Sequence, residues 1–205
     1  MRLNPNQNFH LTIIDIFVKN EINEKNERHE VLRTQKTLCY AAIIPTVQEE
    51  PMRLSPYLQP ELITTDVDAS SCTTVIESMV QLFSKVFTGL DTDEALRVLL
   101  EREEQVPTGL ENGIAIPHAT IDSITDTTMG VALLPDAVDF GARDGSPVRL
   151  VFMILSPQDS ISTHIKLLAR IARLCSNLAF VQSLVDAKDE QDLRRLIFEE
   201  DQRHV

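Results

Sequence analysis

Three short apolar runs in the second half of the chain constrain its fold more than any other feature. They read GIAIPHA at residues 113–119, MGVALLP at 129–135 and VRLVFMILSP at 148–157. Short continuous runs that are rich in Val, Ile and Leu are typical of strands buried on both faces of a sheet. Because helical patterns stand before and after these runs, the sequence predicts a mixed α/β architecture.

The helical patterns come from apolar residues spaced three or four positions apart. In TTVIESMVQLFSKVF this spacing predicts a helix over about residues 73–87, with Gly89 just beyond it as a stop signal. Asp91 and Glu94 then form a D-x-x-E pattern, a variant of the capping box, and predict a second helix through ALRVLLEREEQ. Two or three further amphipathic helices are expected in HIKLLARIARLC, LAFVQSLVDA and DEQDLRRLIFEE.

The first 51 residues differ from the rest of the chain. They hold two short apolar runs separated by NEINEKNERHE, a polar run that is typical of a solvated helix or of disorder. The segment PTVQEEP, with two prolines and paired glutamates, is typical of a linker. We therefore expect residues 1–51 to be an extension and linker, poorly ordered or loosely docked, and residues 52–205 to form the main domain.

The charge balance and the apolar runs argue against two classes of partner. The chain carries 19 basic and 31 acidic side chains, a net charge of −12 that repels a phosphate backbone, so no nucleic-acid partner is expected. Its longest apolar runs have seven or eight residues, whereas roughly 20 are needed to span a bilayer. The first ten residues, MRLNPNQNFH, lack the apolar core of a secretory signal. We expect no direct membrane insertion and a cytoplasmic location.

Motifs for a metal or a nucleotide are also missing. Cys39, Cys72 and Cys175 lie far apart without CxxC spacing, which is typical of free thiols rather than of a disulfide framework or a zinc site. The chain has neither a GxGxxG nor a GxxxxGK[ST] loop, so the usual dinucleotide and nucleoside-triphosphate sites are not expected. We expect no metal and no cofactor at its functional site.

One segment, PTGLENGIAIPHA at residues 107–119, places a histidine where it can react. Gly109 and Gly113 bracket a turn, and Pro117 fixes the backbone directly before His118, so the histidine follows the end of a strand. Taken alone, such a histidine is more often a packed or surface residue. Other polar side chains on apolar faces favour a role in chemistry.

Two of these side chains are basic and belong to predicted helices. Arg102 extends an apolar stripe that includes Leu99, where a guanidinium needs an anion; the alternative is a salt bridge to a nearby carboxylate. His164 lies on the apolar face at the start of a helix that Ser160 and Ser162 could cap, and helix N-termini favour anions. The alternative for His164 is a half-buried histidine without a function.

The residue types together point to one kind of chemistry. Thr108 adds a hydroxyl group to the loop bracketed by glycines. Two histidines, an arginine and a threonine, without a cluster of Cys or carboxylate ligands, suit phosphoryl transfer better than metal binding.

The segment TGLENGIAIPHA, with EREE upstream and SPQDSISTHIKLLARIARL downstream, resembles the type 2 enzyme IIA domain of the bacterial phosphoenolpyruvate-dependent sugar phosphotransferase system. The resemblance covers the chain from about Met52 onward and implies a mixed β-sheet flanked by helices. It implies that His118 accepts a phosphoryl group from the phosphohistidine of a small phosphocarrier protein. By the same resemblance, His164 is the second active-site histidine and Arg102 is the active-site arginine.

The resemblance leaves two functions open. In the first, the protein is a phosphoryl carrier that passes the group from His118 to a cysteine of an enzyme IIB. In the second, it is a nitrogen-type regulatory protein that controls its partners according to its phosphorylation state. In both, Arg102, His164, the Thr108 hydroxyl and loop N–H groups such as that of Gly109 are expected to stabilise the charge on the phosphoryl oxygens.

Overall fold

The computed structural model describes residues 52–203, so the predicted extension over residues 1–51 lies outside the described part of the chain. Among the residues described, no helix is both long enough and apolar enough to cross a membrane. The strands are β1 (Leu58–Thr64), β2 (Gly109–Leu110), β3 (Ile114–Ala115), β4 (His118–Thr120), β5 (Thr128–Val138) and β6 (Val148–Ser156). The helices are α1 (Cys72–Val86), α2 (Thr92–Gln105), α3 (Ile161–Cys175), α4 (Leu178–Val185) and α5 (Glu190–Arg203).

Strand β6 organises a mixed sheet, as the sequence predicted. The strand order is β1-β5-β6-β3-β2, and β4 also pairs with β6. Strand β5 runs antiparallel to β6 on one side, whereas β3 and β4 run parallel to β6 on the other. Strand β1 pairs in parallel with β5 at one end of the sheet, and β2 pairs antiparallel with β3 at the other.

The three apolar runs form strands, with one correction. MGVALLP lies within β5 and VRLVFMILSP forms β6, but GIAIPHA is divided between β3 and β4. Pro117, which lacks an N–H group, lies in the interruption, and its carbonyl accepts the N–H of Ile154 at 3.0 Å. Both parts keep one register on β6, since Ile114 pairs with Leu150 and His118 pairs with Ile154. His118 therefore opens a second short strand instead of following the end of the first.

The first two helices also form where the sequence predicted them. Helix α1 begins and ends within one residue of the predicted bounds, and Ser71 caps it in a capping box with Thr74. The carboxylate of Asp91 caps α2 by accepting the N–H groups of Asp93 and Glu94. The Glu94 carboxylate has a different partner from the one the capping-box pattern predicts, because it accepts the N–H of Asp122 at 3.3 Å.

Helices cover both faces of the sheet, which explains why β6 reads as an unbroken apolar run. Helices α1 and α2 contribute to the same buried cluster as Val151, Met153 and Leu155. Successive side chains of a strand point to opposite faces, and the alternate residues Phe152 and Ile154 are also at most 1% exposed. Helices α3 and α4 contact β6 as well. A strand that is covered on both faces therefore lacks the alternation of polar and apolar residues that is typical of a half-exposed strand.

A buried ion pair joins α3 to α5. The guanidinium of Arg170 donates from Nε and Nη2 to the Asp201 Oδ1 atom at 2.9 and 2.8 Å, and the two side chains are 3% and 1% exposed. The other carboxylate oxygen of Asp201 accepts the N–H of Leu54 at 2.7 Å. One carboxylate thus connects the start of the described domain with two of its last three helices.

We predict that Asp201→Ala destabilises the protein by about 3–5 kcal/mol, because it removes a buried carboxylate that is paired with the buried Arg170 charge. Urea unfolding measures this free energy. Arg195→Ala is the matched control, since Arg195 also pairs with carboxylates but is 54% exposed, and its unfolding midpoint should hardly change. Equal midpoints for the two variants would contradict a structural role of the buried pair.

Candidate active site

His118 is held against β6 with one ring nitrogen already engaged. The side chain is 5% exposed, and its Nδ1 atom lies 2.7 Å from the carbonyl oxygen of Ile116. Because a carbonyl oxygen only accepts hydrogen bonds, the proton of the neutral ring must be on Nδ1. The lone pair of the neutral ring is then on Nε2.

His164 lies beside His118. The ring centroids are 5.3 Å apart and the ring planes are tilted by 57°. The Nδ1 atom of His164 lies 2.8 Å from the hydroxyl oxygen of Ser156, the last residue of β6, and both residues are at most 2% exposed. The strand that pairs with His118 therefore also positions His164.

The start of α3 differs from the expected cap. Ser160 is the N-cap residue, but it makes no side-chain capping hydrogen bond, and its hydroxyl donates to Asp159 at 3.2 Å. Ser162 lies inside the helix, two residues before His164. The helix begins directly after the 3₁₀ turn of Gln158–Ser160, so its direction follows from the end of β6.

Arg102 brings positive charge to the pair of histidines. It is half-buried in the last turn of α2, and its Nη1 atom donates to the carbonyl of Val106 at 2.6 Å. Its charge makes a secondary contribution, after burial, to lowering the pKa of both His118 and His164, so it lies near both rings. Three of the five predicted site residues are therefore brought together.

The loop residues Thr108 and Gly109 form bonds within the protein. Thr108 donates its N–H and its hydroxyl to the carboxylate of Glu103, at 2.9 and 2.6 Å. Gly109 donates to the carbonyl of Phe140 at 3.2 Å, and a Cβ at Gly109 would come within 2.5 Å of that same oxygen. Their predicted contacts with a phosphoryl group stay predictions, and their observed role is to shape the loop.

The turn bracketed by the two glycines lies between β2 and β3, as expected. Asn112 and Gly113 adopt φ angles of 72° and 73°, a conformation that glycine and asparagine tolerate best. Within residues 52–203, no group of three or more His, Cys, Asp or Glu side chains could hold a metal ion. Cys72 and Cys175 are free, and Cys39 lies outside the described residues.

Sequence reasoning missed Glu103 and Ser156, which form hydrogen bonds with Thr108 and His164. Glu103 follows Arg102 directly in the EREE segment. This segment has three glutamates within one helical turn, and the sequence does not predict which of them faces the loop. Ser156 is the last residue of an apolar strand and is buried. Because buried polar groups are normally hydrogen-bonded, a serine in this position could have suggested a polar partner such as a histidine.

Burial keeps both histidines neutral. The pKa of His118 is lowered from 6.5 to about 3, chiefly because burial disfavours the charged ring; the hydrogen bond to Ile116 opposes this change, and His164 and Arg102 add to it. The pKa of His164 is lowered to about 4, by burial first and by the charge of Arg102 second. At neutral pH, both rings are thus uncharged.

Comparison with known families identifies the class of protein. Residues 56–200 match the family described as "Phosphoenolpyruvate-dependent sugar phosphotransferase system, EIIA 2". The chain belongs to this family.

The similar proteins include both fructose-specific and nitrogen-regulatory members. The fructose-specific EIIA component of Haloferax volcanii is 32% identical over 68% of this chain and 90% of its own length. The nitrogen regulatory protein of Klebsiella oxytoca is 31% identical over 72% of this chain and 91% of its own length. The fructose-specific EIIABC component of Bacillus subtilis is 29% identical over 73% of this chain, which spans only 24% of that longer protein.

Solved structures confirm the fold class. The nitrogen regulatory protein IIA-Ntr from Neisseria meningitidis matches with a TM-score of 0.65 and 26% identity, over 69% of this chain and 97% of that one. The complex of enzyme IIAMTL and phosphorylated enzyme IIBMTL from Escherichia coli matches with a TM-score of 0.59 and 20% identity, over 68% and 97% of the two chains. At that identity the second likeness concerns the fold alone.

The low histidine pKa values predict that acid destabilises the protein. Above pH 6.5 the rings are neutral in both states, but below it the unfolded chain takes up protons that the folded protein, with pKa values of about 3 and about 4, does not bind. The free energy of unfolding, measured in urea, should therefore fall as the pH is lowered from 6.5 towards about 4. His118→Gln should weaken this dependence; an unchanged slope would contradict the burial of a neutral ring.

Proposed function

We propose that this protein is a phosphoryl carrier that accepts a phosphoryl group on Nε2 of His118 and passes it to a partner. The observation that carries the proposal is the bond between His118 Nδ1 and the carbonyl of Ile116, which places the proton of the neutral ring on Nδ1 and the lone pair on Nε2. Membership of the enzyme IIA type 2 family supports phosphoryl transfer as the reaction. The donor in this proposal is the phosphohistidine of a small phosphocarrier protein.

The transfer step balances without a metal or a separate base. The phosphorus–nitrogen bond of the donor breaks as a new bond forms to Nε2 of His118, and the donor imidazole recovers its electron pair. The proton on Nδ1 stays where it is, so the phosphorylated ring carries a positive charge that the carbonyl oxygen of Ile116 stabilises. The same carbonyl holds the ring in one orientation before and after transfer.

Arg102 and His164 stabilise the phosphoryl group in transit. In phosphoryl transfer, most catalysis comes from positioning and from charge placed against the three phosphoryl oxygens. Arg102 supplies a permanent positive charge beside both rings. The Ser156 hydroxyl can donate to Nδ1 of His164, which then carries its proton on Nε2 as a further donor.

The acceptor in this proposal is a cysteine of an enzyme IIB. The similar fold of enzyme IIAMTL, solved in a complex with phosphorylated enzyme IIBMTL, supports a partner of this class. A regulatory function is the second candidate, and the likeness to nitrogen regulatory proteins supports it.

We place the protein in the cytoplasm, because the phosphoenolpyruvate that begins the transfer chain is an intracellular metabolite.

We predict that the purified protein, incubated with phosphoenolpyruvate, enzyme I and the phosphocarrier, gains one phosphoryl group that is labile in acid and stable in base. His118→Ala should abolish this label, and intact-protein mass spectrometry would detect it. His164→Ala and Arg102→Gln should fold but accept the group about 10²- to 10³-fold more slowly, as expected for the loss of one preorganised donor. A label that survives His118→Ala would rule out the proposed nucleophile.

Addition of an enzyme IIB to the labelled protein separates the two candidate functions. Passage of the label to the enzyme IIB cysteine supports the carrier. A label that stays on the protein, together with binding to a target protein that depends on phosphorylation, supports the regulator. Both outcomes keep His118 as the phosphorylated residue.

We also propose that residues 52–205 form the phosphoryl carrier domain and that residues 1–51 are an extension and linker that transfer does not require. The family match begins at residue 56, and the N–H of Leu54 bonds to Asp201, so the domain must include Leu54. Leu54 is also 1% exposed, which places it in the core.

A chain that begins at Met52 should keep full phosphoryl transfer and most of its thermal stability. A chain that begins at Tyr57 is the matched control; it should lose stability, because it lacks the buried Leu54 side chain and the N–H that Asp201 accepts. Thermal unfolding and the label assay measure both properties. Aggregation or loss of transfer in the Met52 chain would show that residues 1–51 belong to the working fold.

A further inference from the structure

Two consecutive side chains of α2 hold the loop that leads to the site. Arg102 donates to the carbonyl of Val106, and Glu103 accepts both the N–H and the hydroxyl of Thr108. An ionised carboxylate only accepts hydrogen bonds, so it can receive these two donors at once, one on each oxygen. The link between α2 and β2 is therefore fixed at two points by the last turn of the helix.

The Glu103 carboxylate is retained in a place that disfavours its charge. Glu103 is half-buried, and burial raises the pKa of its carboxyl group, although the two bonds from Thr108 and the charge of Arg102 oppose this change. Partial burial of a charged group costs free energy that a surface glutamate avoids. Solubility alone therefore does not explain a carboxylate at residue 103.

Hydrogen bonds continue from Thr108 to the reacting ring. The carbonyl of Thr108 accepts the N–H of Ile116 at 3.2 Å, and the carbonyl of Ile116 accepts the Nδ1 proton of His118 at 2.7 Å. Four residues are thus connected in the order Glu103, Thr108, Ile116, His118. A shift at Thr108 moves the backbone of Ile116, and that backbone orients the imidazole.

We propose that Glu103 is a positioning residue for phosphoryl transfer, which acts through Thr108 and Ile116 to hold the His118 ring in its reactive orientation. This inference rests on the proposed function for its effect on rate, but the hydrogen-bond connection itself exists in the unphosphorylated protein. Transfer between two proteins depends on a ring that is already correctly oriented, because a misplacement of about 1 Å can cost 10²-fold in rate. The Glu103 carboxylate stabilises this orientation through its hydrogen bonds to Thr108 and does not contact the phosphoryl group.

The experiment compares Glu103→Gln with Glu104→Gln in the full chain. Both variants remove one negative charge from neighbouring positions, but Glu104 is exposed whereas Glu103 holds Thr108. A glutamine at this position can accept the N–H of Thr108 through its oxygen and donate its NH₂ group to the hydroxyl, so the variant keeps neutral bonds but removes the charge that strengthens both of them. Thr108→Val is the second variant, because it removes the hydroxyl and leaves the N–H of Thr108 in place.

The first readout is nuclear magnetic resonance of the His118 ring without any phosphoryl donor. In the unsubstituted protein and in Glu104→Gln, the Nδ1 proton should be observed and should exchange slowly with solvent. In Glu103→Gln and in Thr108→Val, this proton should exchange faster, because the carbonyl of Ile116 holds the ring less firmly. Equal exchange in all four proteins would overturn the proposal, even if His118 were never phosphorylated.

The second readout is the rate of transfer from the phosphocarrier. Glu103→Gln should lower the maximal rate by about 10- to 100-fold with little change in the KM for the donor, and the final label should still reach one group per chain. Combining Glu103→Gln with Thr108→Val should slow transfer by much less than the product of the two single effects, because both act through one bond pair. Multiplicative effects, or a maximal rate equal to that of Glu104→Gln, would overturn the role of Glu103.

Discussion

The pairing of β4 and β6 is the interaction on which the site depends. His118 lies in register with Ile154 on β6, and Ser156, two residues further along the same strand, holds His164. Because side chains alternate along a strand, a slip of one residue would turn every β6 side chain to the opposite face. Both faces are packed with helices, so the register of the core also fixes the distance between the two histidines.

Burial sets the charge state of His118 and ties it to stability. The burial that keeps the ring unprotonated at neutral pH also removes a titratable group from water, so the folded protein disfavours protonation of this ring in acid. The ring is held by the carbonyl of Ile116, two residues earlier in the chain. In the transfer that we propose, the negative oxygens of the attached phosphoryl group would balance a positive charge on this ring.

The sequence predicted the fold class, the first two helices and the buried strands, because each depends on local periodicity and on capping residues. It also predicted the meeting of His118, His164 and Arg102, but through the resemblance to a family and not through spacing. The break at Pro117 was missed because apolar character continues through it. Glu103 and Ser156 were missed because their partners lie in other elements, and a single sequence does not reveal which carboxylate of EREE turns inward.

The bond between Asp201 and Leu54 has a consequence for synthesis of the protein. A ribosome releases Leu54 long before it adds Asp201, so the N–H of Leu54 and the guanidinium of Arg170 wait without this acceptor while some 30 to 150 residues of chain are made. Helix α5 therefore completes these contacts after all the strands of the described sheet have been synthesised. Nascent chains that stop short of α5 should therefore remain accessible to chaperones and proteases until the last helix is made.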